Sequence, residues 1–337
     1  MAHVYLMKSD LKVGFSQGQL IVKEREEPKE QKIPFCNVDS INVFGAPQIS
    51  TQLIRECLLS GVTVGYYTED GHYCGRITPS NHADPLRQRK QILLTGNKEF
   101  CLSWAKLVVE AKIKNSLSFL ASMEEIYDFT SDDIKGITHS LQYLKQADDI
   151  DVVFGLEGNA AREYFSCLSK LVIDPLFSFN GRSSRPPKDP INAMLSYGYT
   201  FLHRNIIGAI ERHGLHPHFG FMHKMKRGHE ALASDLVEDY RAFLIDRTVI
   251  DLVNSGKVSL DDFSRAKNNG IYLSKDLIRK LTNSLTNTLA EKIQFDAMYG
   301  NCCSYGFHAA LDRKICSVID AIDAGDASMY RPFFWVE

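Results

Sequence analysis

The sequence predicts a two-domain α+β protein: a small N-terminal β-strand domain with one short helix, then a larger all-α C-terminal domain. Three observations predict it. Over residues 1–78 the apolar residues come in short, β-branched or alternating runs broken by glycine and charged turns. At Thr78-Pro79-Ser80-Asn81 the composition shifts. After residue 93 apolar residues recur at helical spacing behind capping residues. The expected division is a β domain over 1–78, a linker over 79–93 and a helical domain over 94–337.

Each element follows from a local signal. HVYLM reads as a strand, and LKVGF and QLIVKE flank Ser16-Gln17-Gly18 as a hairpin. The mixed charges from Lys23 to Lys32 read as a solvated tip, and KIPFCNVDSINVFG supplies two more strands. In STQLIRECLLSG, Ser50 or Thr51 caps a helix, Leu53, Ile54, Cys57 and Leu58 form its apolar stripe, and Gly61 stops it. VTVGYYT and HYCGRI close the domain as a hairpin turned at Glu69-Asp70-Gly71. Beyond the linker, Phe100, Trp104, Val108 and Ala111 mark one helix; Ile134, Ile137, Leu141 and Leu144, behind a Ser131 cap, mark another. Asp189-Pro190 is an N-cap followed by an N1 proline, opening a helix to about Arg212. Further helices start near Ser274 and Ser304, the last with Leu311, Ile315, Val318 and Ile322 as its stripe and Gly325 as its stop.

Composition narrows the function classes. The 337 residues are 44% hydrophobic and 24% charged, ordinary for a soluble protein with room for two cores. A net charge of −2 excludes a uniformly basic protein but leaves local basic patches open. The eight cysteines form no C-x-x-C pair and no zinc-like spacing, so reduced thiols in a cytosolic protein are expected. MAHVYLMKSDLK is not a signal peptide, and no apolar stretch approaches the ~20 residues of a membrane span. A cytoplasmic protein is expected.

The chemistry concentrates in HFGFMHKMKRGHEALASDLVEDYR, residues 218–241. His223 lies in a turn-like run, Lys224 to His229 is basic, and Asp235 and Glu238 sit three apart on one helix face. A histidine brought over two carboxylates makes a mixed nitrogen–oxygen metal site, with Glu157 of FGLEGNAAREYF as the candidate further acid. Each residue has a plainer reading. Glu157 near a helix start complements the dipole; His223, among His213, His216 and His218, is structural; Asp235, Glu238 and Asp239 form a solvated face. Against the last, Leu232, Leu236, Tyr240 and Phe243 run close beside the acids, and a like-charge pair there needs a cation. Gly155 and Gly158 beside Glu157 permit close approach of a backbone or phosphate. Three basic stretches could contact phosphates: Arg87, Arg89 and Lys90; Arg182, Arg185 and Lys188; and Lys224, Lys226 and Arg227. Taken singly, each is solvated surface. Together with the acids they suggest metal-dependent phosphodiester chemistry.

Four blocks in order, FGLEGNAAREYF, RSSRPPKDPINAMLSYGYTFLHRNIIGAIERHGLHPHFGFMHK, GHEALASDLVEDYRAFLIDRTVI and VNSGKVSLDDFSRAKNNGIYLS, resemble the CRISPR-associated adaptation integrases of the Cas-one family. The resemblance covers nearly the whole chain. It implies a catalytic centre of Glu157, His223, Asp235 and Glu238 in the helical, DNA-binding domain. Glu157, His223 and Glu238 are the implied ligands of Mg²⁺ or Mn²⁺, and Asp235 is a ligand or a carboxylate behind them. It further implies DNA contacts by Arg87, Arg89, Lys90, Arg182, Arg185, Lys224, Lys226, Arg227 and Arg241. A homodimer through the β domain and a heterohexamer with a dimer of the small Cas-two partner complete the expectation. The implied reaction is insertion of short foreign DNA fragments into a repeat array by 3′-hydroxyl transesterification. The alternatives are a nuclease that cuts branched or single-stranded DNA without joining, and a non-catalytic DNA-binding scaffold. Two positions depart from the family pattern: Ala242 stands where proline is usual, and Ser183-Ser184 where a more basic pair is common.

Overall fold

A computed structural model of the chain describes residues 2–25, 30–79, 83–295 and 303–335. Residues 26–29 of the expected Lys23–Lys32 tip, Ser80, Asn81 and Cys302 lie outside the described residues. The chain divides into two compact units, Met1–Ala83 with Ser274–Arg279, and Asp84–Leu273 with Lys280–Glu337.

The first unit is built from β1 (Ala2–Leu6), β2 (Leu11–Ser16), β3 (Gln19–Glu24), β4 (Glu30–Pro34), β5 (Val38–Phe44), β6 (Gln48–Ile49), α1 (Thr51–Ser60), β7 (Thr63–Tyr67) and β8 (Tyr73–Ile77). Gln17 and Gly18 both take positive φ, 50° and 73°, the geometry of a two-residue hairpin turn whose twist matches its strands. One sheet has the order β4-β3-β2-β6 and the other β1-β5-β7-β8. β5 pairs in parallel with β1 and β7, a pairing that hairpin signals do not anticipate. The chain returns from β1 to β5 by way of β2–β4, and α1 lies in the crossover between β5 and β7. Ser50 accepts from Leu53 N at 3.2 Å and Gly61 closes the helix at φ 80°, both at the expected positions. Leu20, Ile41, Leu53, Cys57 and Val64 form the centre of the core.

The second unit is largely helical. It contains α2 (Pro85–Leu94), α3 (Lys98–Ser122), α4 (Lys135–Leu144), α5 (Ile150–Lys170), α6 (Pro190–Arg212), α7 (Ala231–Val237) and α8 (Arg247–Asn254). A 3₁₀ turn, Glu238–Tyr240, and a π-helical turn, Arg241–Asp246, connect α7 to α8 without leaving helical geometry. Then come β9 (Phe263–Arg265), β10 (Ile271–Leu273), α9 (Lys275–Ala290), which belongs to this unit from Lys280 onward, β11 (Lys292–Phe295), β12 (Cys303–Gly306) and α10 (Phe307–Ala324).

Several expectations need correction. Residues 85–94 are helix rather than linker, because Asp84 caps Arg87 N at 3.0 Å and Pro85 occupies the first turn. The helical domain is not all-α: β9 pairs with β10 and β11 with β12. Asn269, at φ 59°, lies between β9 and β10. Ser131 does not cap α4, since Asp133 instead accepts from the backbone and hydroxyl of Thr130, at 2.9 and 2.8 Å, delaying the helix start. Asp189 caps α6 through Asn192 N at 2.8 Å, and Gly325 ends α10 at φ 67°, both as expected. Among the described residues, no helix is long and apolar enough to cross a membrane.

α3 is the spine of this unit, with Trp104, Val108, Ile113 and Phe119 all buried. Residues 330–335 dock against it. Asn115 donates to the carbonyls of Asp239 (2.7 Å) and Phe333 (2.8 Å) and accepts from Trp335 N (2.9 Å). Asp239 accepts from Phe333 N at 2.8 Å and pairs with Lys314, which also donates to Leu236 O at 2.9 Å. Phe333 stacks on Tyr240 and Trp335 on Phe243. Burial pushes the Asp239 carboxyl up and the Lys314 ammonium down, so each depends on the other for its charge. Lys314→Met is expected to lower the unfolding free energy by about 3–5 kcal/mol in urea titration, the cost of leaving one buried charge unpaired. Adding Asp239→Asn should recover part of that loss.

Candidate active site

Loop 214–230 enters α7 under tight steric control. A Cβ at Gly220 would stand 2.5 Å from the backbone carbon of Ala231, so only glycine lets this loop lie against the helix start. Leu232 N donates to Pro217 O at 2.9 Å, fixing the approach. With the loop in place, the Asp235 carboxylate accepts from the backbone N–H groups of Phe221 (2.8 Å), Met222 (3.1 Å) and His223 (2.9 Å). It also accepts from His223 Nδ1 at 2.8 Å. Asp235 is 1% exposed, so the solvated-face reading fails for it. Its oxygens are taken up by the loop and the imidazole, and it acts by holding His223. The Nδ1 proton pointing at Asp235 leaves the Nε2 lone pair directed outward. Nε2 stands 4.0 Å from Glu238 Oε1. Burial opposes the imidazolium, but the Asp235 hydrogen bond and the Asp235 and Glu238 charges outweigh it and raise the His223 pKa.

Glu238 opens the 3₁₀ turn and is 4% exposed, again not a solvated residue. Arg241 Nη2 lies 3.0 Å from its Oε1. Lys112 Nζ, from α3, lies 2.7 Å from its Oε2. Burial alone would raise the carboxyl; the Arg241, Lys112 and His223 charges overturn this and hold it at about 2. Lys112 also hydrogen-bonds Glu157 Oε1, so one ammonium touches both carboxylates. Glu157 lies two turns inside α5, not near its start, because Asp149 caps the helix well upstream, at Asp151 N (2.7 Å). Phe154, one turn before it, meets the His223 ring edge-on. A Cβ at Gly155 or Gly158 would meet nothing within 4 Å, so both glycines face open space beside Glu157.

The four predicted residues thus gather in one place, with Asp235 behind His223, Glu157 and Glu238 on Lys112, and His223 Nε2 beside Glu238. Among the described residues, no three histidine, cysteine, aspartate or glutamate side chains stand close enough together to hold an ion as placed. An ammonium separates the carboxylates instead. The donors nevertheless suit a hard divalent cation: two carboxylates and an oriented imidazole nitrogen. A cavity of about 30 Å³ adjoins them, lined in part by Tyr164, Tyr199 and Asp246. The Tyr164 and Tyr199 hydroxyls donate to Asp246 at 2.7 and 2.6 Å, and burial pushes that carboxyl up to about 6.

The basic residues divide by environment. Lys224, Lys226 and Arg227 are exposed on the loop next to His223, with Lys224 3.8 Å from Asp151; Arg185, Lys188 and Arg89 are exposed as well. Lys90 and Arg87 pair with Asp323 at 2.8 and 3.6 Å. Arg182 and Arg241 differ from the expected DNA contacts because their guanidinium groups are committed inward. Arg182 donates to Asn192 Oδ1 (2.8 Å) and Ser196 Oγ (3.0 Å), Arg241 pairs with Glu238, and both lie over the Tyr199 ring. Sequence reasoning missed Lys112. Its signal was a lysine on the buried Val108–Ser116 row of α3.

The chain is similar to known proteins over nearly its whole length. The family model for CRISPR associated protein Cas1 matches residues 4–287. The CRISPR-associated endonuclease Cas1 of Mycobacterium tuberculosis (strain H37Rv) is 36% identical over 97% of this chain and 96% of its own. A solved casposase bound to integration product superposes with a TM-score of 0.80 at 26% identity, covering 97% of this chain and 93% of that one. A chain of a Cas6-RT-Cas1–Cas2 complex reaches a TM-score of 0.79 at 24% identity, covering all of this chain and 36% of that one, a likeness of fold.

Two substitutions test the geometry. Asp235→Asn puts an amide N–H₂ where the carboxylate accepts, and is expected to cost about 1–3 kcal/mol of stability. NMR titration should then find the His223 pKa lower than in the native protein. Gly158→Ala, in open space, should stabilise α5 by about 0.5–1 kcal/mol in thermal unfolding.

Proposed function

This chain belongs to the Cas1 family of CRISPR-associated endonucleases, and from that premise we propose that it inserts short DNA fragments into a repeat array. The reaction is attack of a fragment's 3′-hydroxyl on a phosphodiester at the repeat edge, with departure of the opposite sugar oxygen. One observation carries the reading: two carboxylates from separate elements share one cation beside an oriented imidazole, next to an exposed basic loop. The likeness to a casposase bound to integration product supports joining as well as cutting.

Glu157, Glu238 and His223 Nε2 would hold Mg²⁺ or Mn²⁺, the nitrogen favouring Mn²⁺. Such a cation supplies Lewis acidity at the phosphoryl oxygen and neutralises charge developing on the leaving oxygen. Asp235 keeps the imidazole in its tautomer and orientation. Arg241 keeps Glu238 ionised. Lys224, Lys226, Arg227, Arg185, Lys188 and Arg89 hold the DNA backbone by charge and fix its register without reading bases. Gly155 and Gly158 leave the strand room to approach Glu157. Copies pair through their β domains, and two such dimers flank a dimer of the small Cas2 partner in the cytoplasm. The presence of a Cas6-RT-Cas1–Cas2 complex among structures of like fold supports a Cas2 partner.

Incubation with the Cas2 partner, a duplex with free 3′ ends, a repeat plasmid and Mn²⁺ is expected to give joined product. Glu157→Ala, His223→Ala, a chelator or a 3′-dideoxy end should each abolish joining. Asp235→Asn should reduce it about 10–100-fold. Intact joining by Glu157→Ala would overturn the assignment, and shortened strands alone would establish cutting without joining.

A further inference from the structure

The least expected feature of the site is the position of Lys112. Its ammonium touches Glu157 Oε1 and Glu238 Oε2, the oxygens of two different ligands, and its side chain is 16% exposed. Glu238 cannot be left buried beside a second carboxylate without positive charge between them. Two cations supply it, and they are not equivalent. Arg241 is planar and lies over the Tyr199 ring 4.8 Å from its centroid, so its guanidinium is held from two directions. Lys112 has a flexible four-carbon stem, and its ammonium is held by the two carboxylates.

We propose that Lys112 is an internal placeholder: in the metal-free protein its ammonium occupies the place between Glu157 and Glu238 that a divalent cation takes, and binding of that cation displaces it. The inference rests on the metal-site reading given above. Arg241 stays on Glu238 in both states, and Lys112 exchanges its two carboxylate contacts for solvent. Metal affinity is therefore set partly by a side chain that is not a ligand. The metal-free site remains a closed, charge-compensated arrangement, not an open cluster of repelling acids.

The test is Mn²⁺ binding to the full chain without DNA, followed by electron paramagnetic resonance of free Mn²⁺. Lys112→Met and Lys112→Gln are both expected to bind Mn²⁺ at least about tenfold more tightly than the native protein, because one or more charge-assisted contacts no longer have to be broken. Without metal both should melt at a lower temperature, and saturating Mn²⁺ should raise their melting temperature more than it raises the native one. On the native protein, acetic anhydride labelling read by mass spectrometry should find Lys112 protected without metal and modified once Mg²⁺ is saturating. Unchanged or weaker Mn²⁺ binding in both variants would overturn the proposal, as would unchanged protection of Lys112 with Mg²⁺ bound. The metal-site reading has its own control: native binding that Glu157→Gln removes upholds it whatever the Lys112 variants do. Absence of Mn²⁺ binding in native and variant protein alike would remove both.

Discussion

The site depends on one buried carboxylate being fully occupied. Asp235, 1% exposed, would be costly to ionise in an apolar interior without donors. Three consecutive backbone N–H groups and an imidazole nitrogen supply them. The same contacts that satisfy the acid also bend residues 221–223 around it and aim the imidazole. Stability and function therefore share one set of hydrogen bonds, and the loop has no freedom to take another path. Gly220 is the steric counterpart of this constraint, since the loop must pass against the backbone of Ala231 to reach the carboxylate.

Beyond Asp235 the helix changes its winding. The 3₁₀ turn at Glu238–Tyr240 tightens it and the π turn at Arg241–Asp246 widens it before α8 resumes. Such changes of pitch re-aim side chains that regular spacing would send elsewhere. Here Glu238 faces Lys112 and His223, Asp239 turns to Lys314, and Asp246 reaches the two tyrosine hydroxyls. Three buried acids on one short stretch thus obtain three separate sets of partners. Ala242, where proline is usual in the family, lies within the widened turn and is buried.

The legible part of this architecture was what local chemistry dictates. Ser50, Gly61, Asp189-Pro190 and Gly325 punctuate their helices because capping depends on neighbours in the chain. His223, Asp235 and Glu238 stood out as an imidazole near two carboxylates, and the resemblance to the family joined Glu157, the candidate further acid, to them. Long-range choices were not legible. The parallel pairing of β5 with β1 and β7 depends on how β2–β4 and α1 return the chain, and each strand reads the same in either direction. Asp235 and Glu238 looked interchangeable at i, i+3, yet one binds the loop and the other an ammonium, because the winding changes between them. Lys112 was hidden among Lys106 and Lys114, and only its place on a buried row of α3 distinguishes it. Arg182 and Arg241 carried the right charge for phosphates, but their inward partners are invisible without coordinates.

The docking of residues 330–335 onto Asn115 and Asp239 has a consequence for the order of assembly. These hydrogen bonds join positions separated by up to 220 residues along the chain. Closure over such distances comes late, because a large loop entropy is lost before any contact compensates it. A ribosome delivers this segment after Lys112, Glu157, His223 and Glu238 have all emerged. Asp239, adjacent to Glu238, therefore lacks its Phe333 partner until residues 330–335 have emerged. A growing chain that stops short of Phe333 already carries Lys112, Glu157, His223 and Glu238 but lacks the clasp that seats the turn holding Glu238.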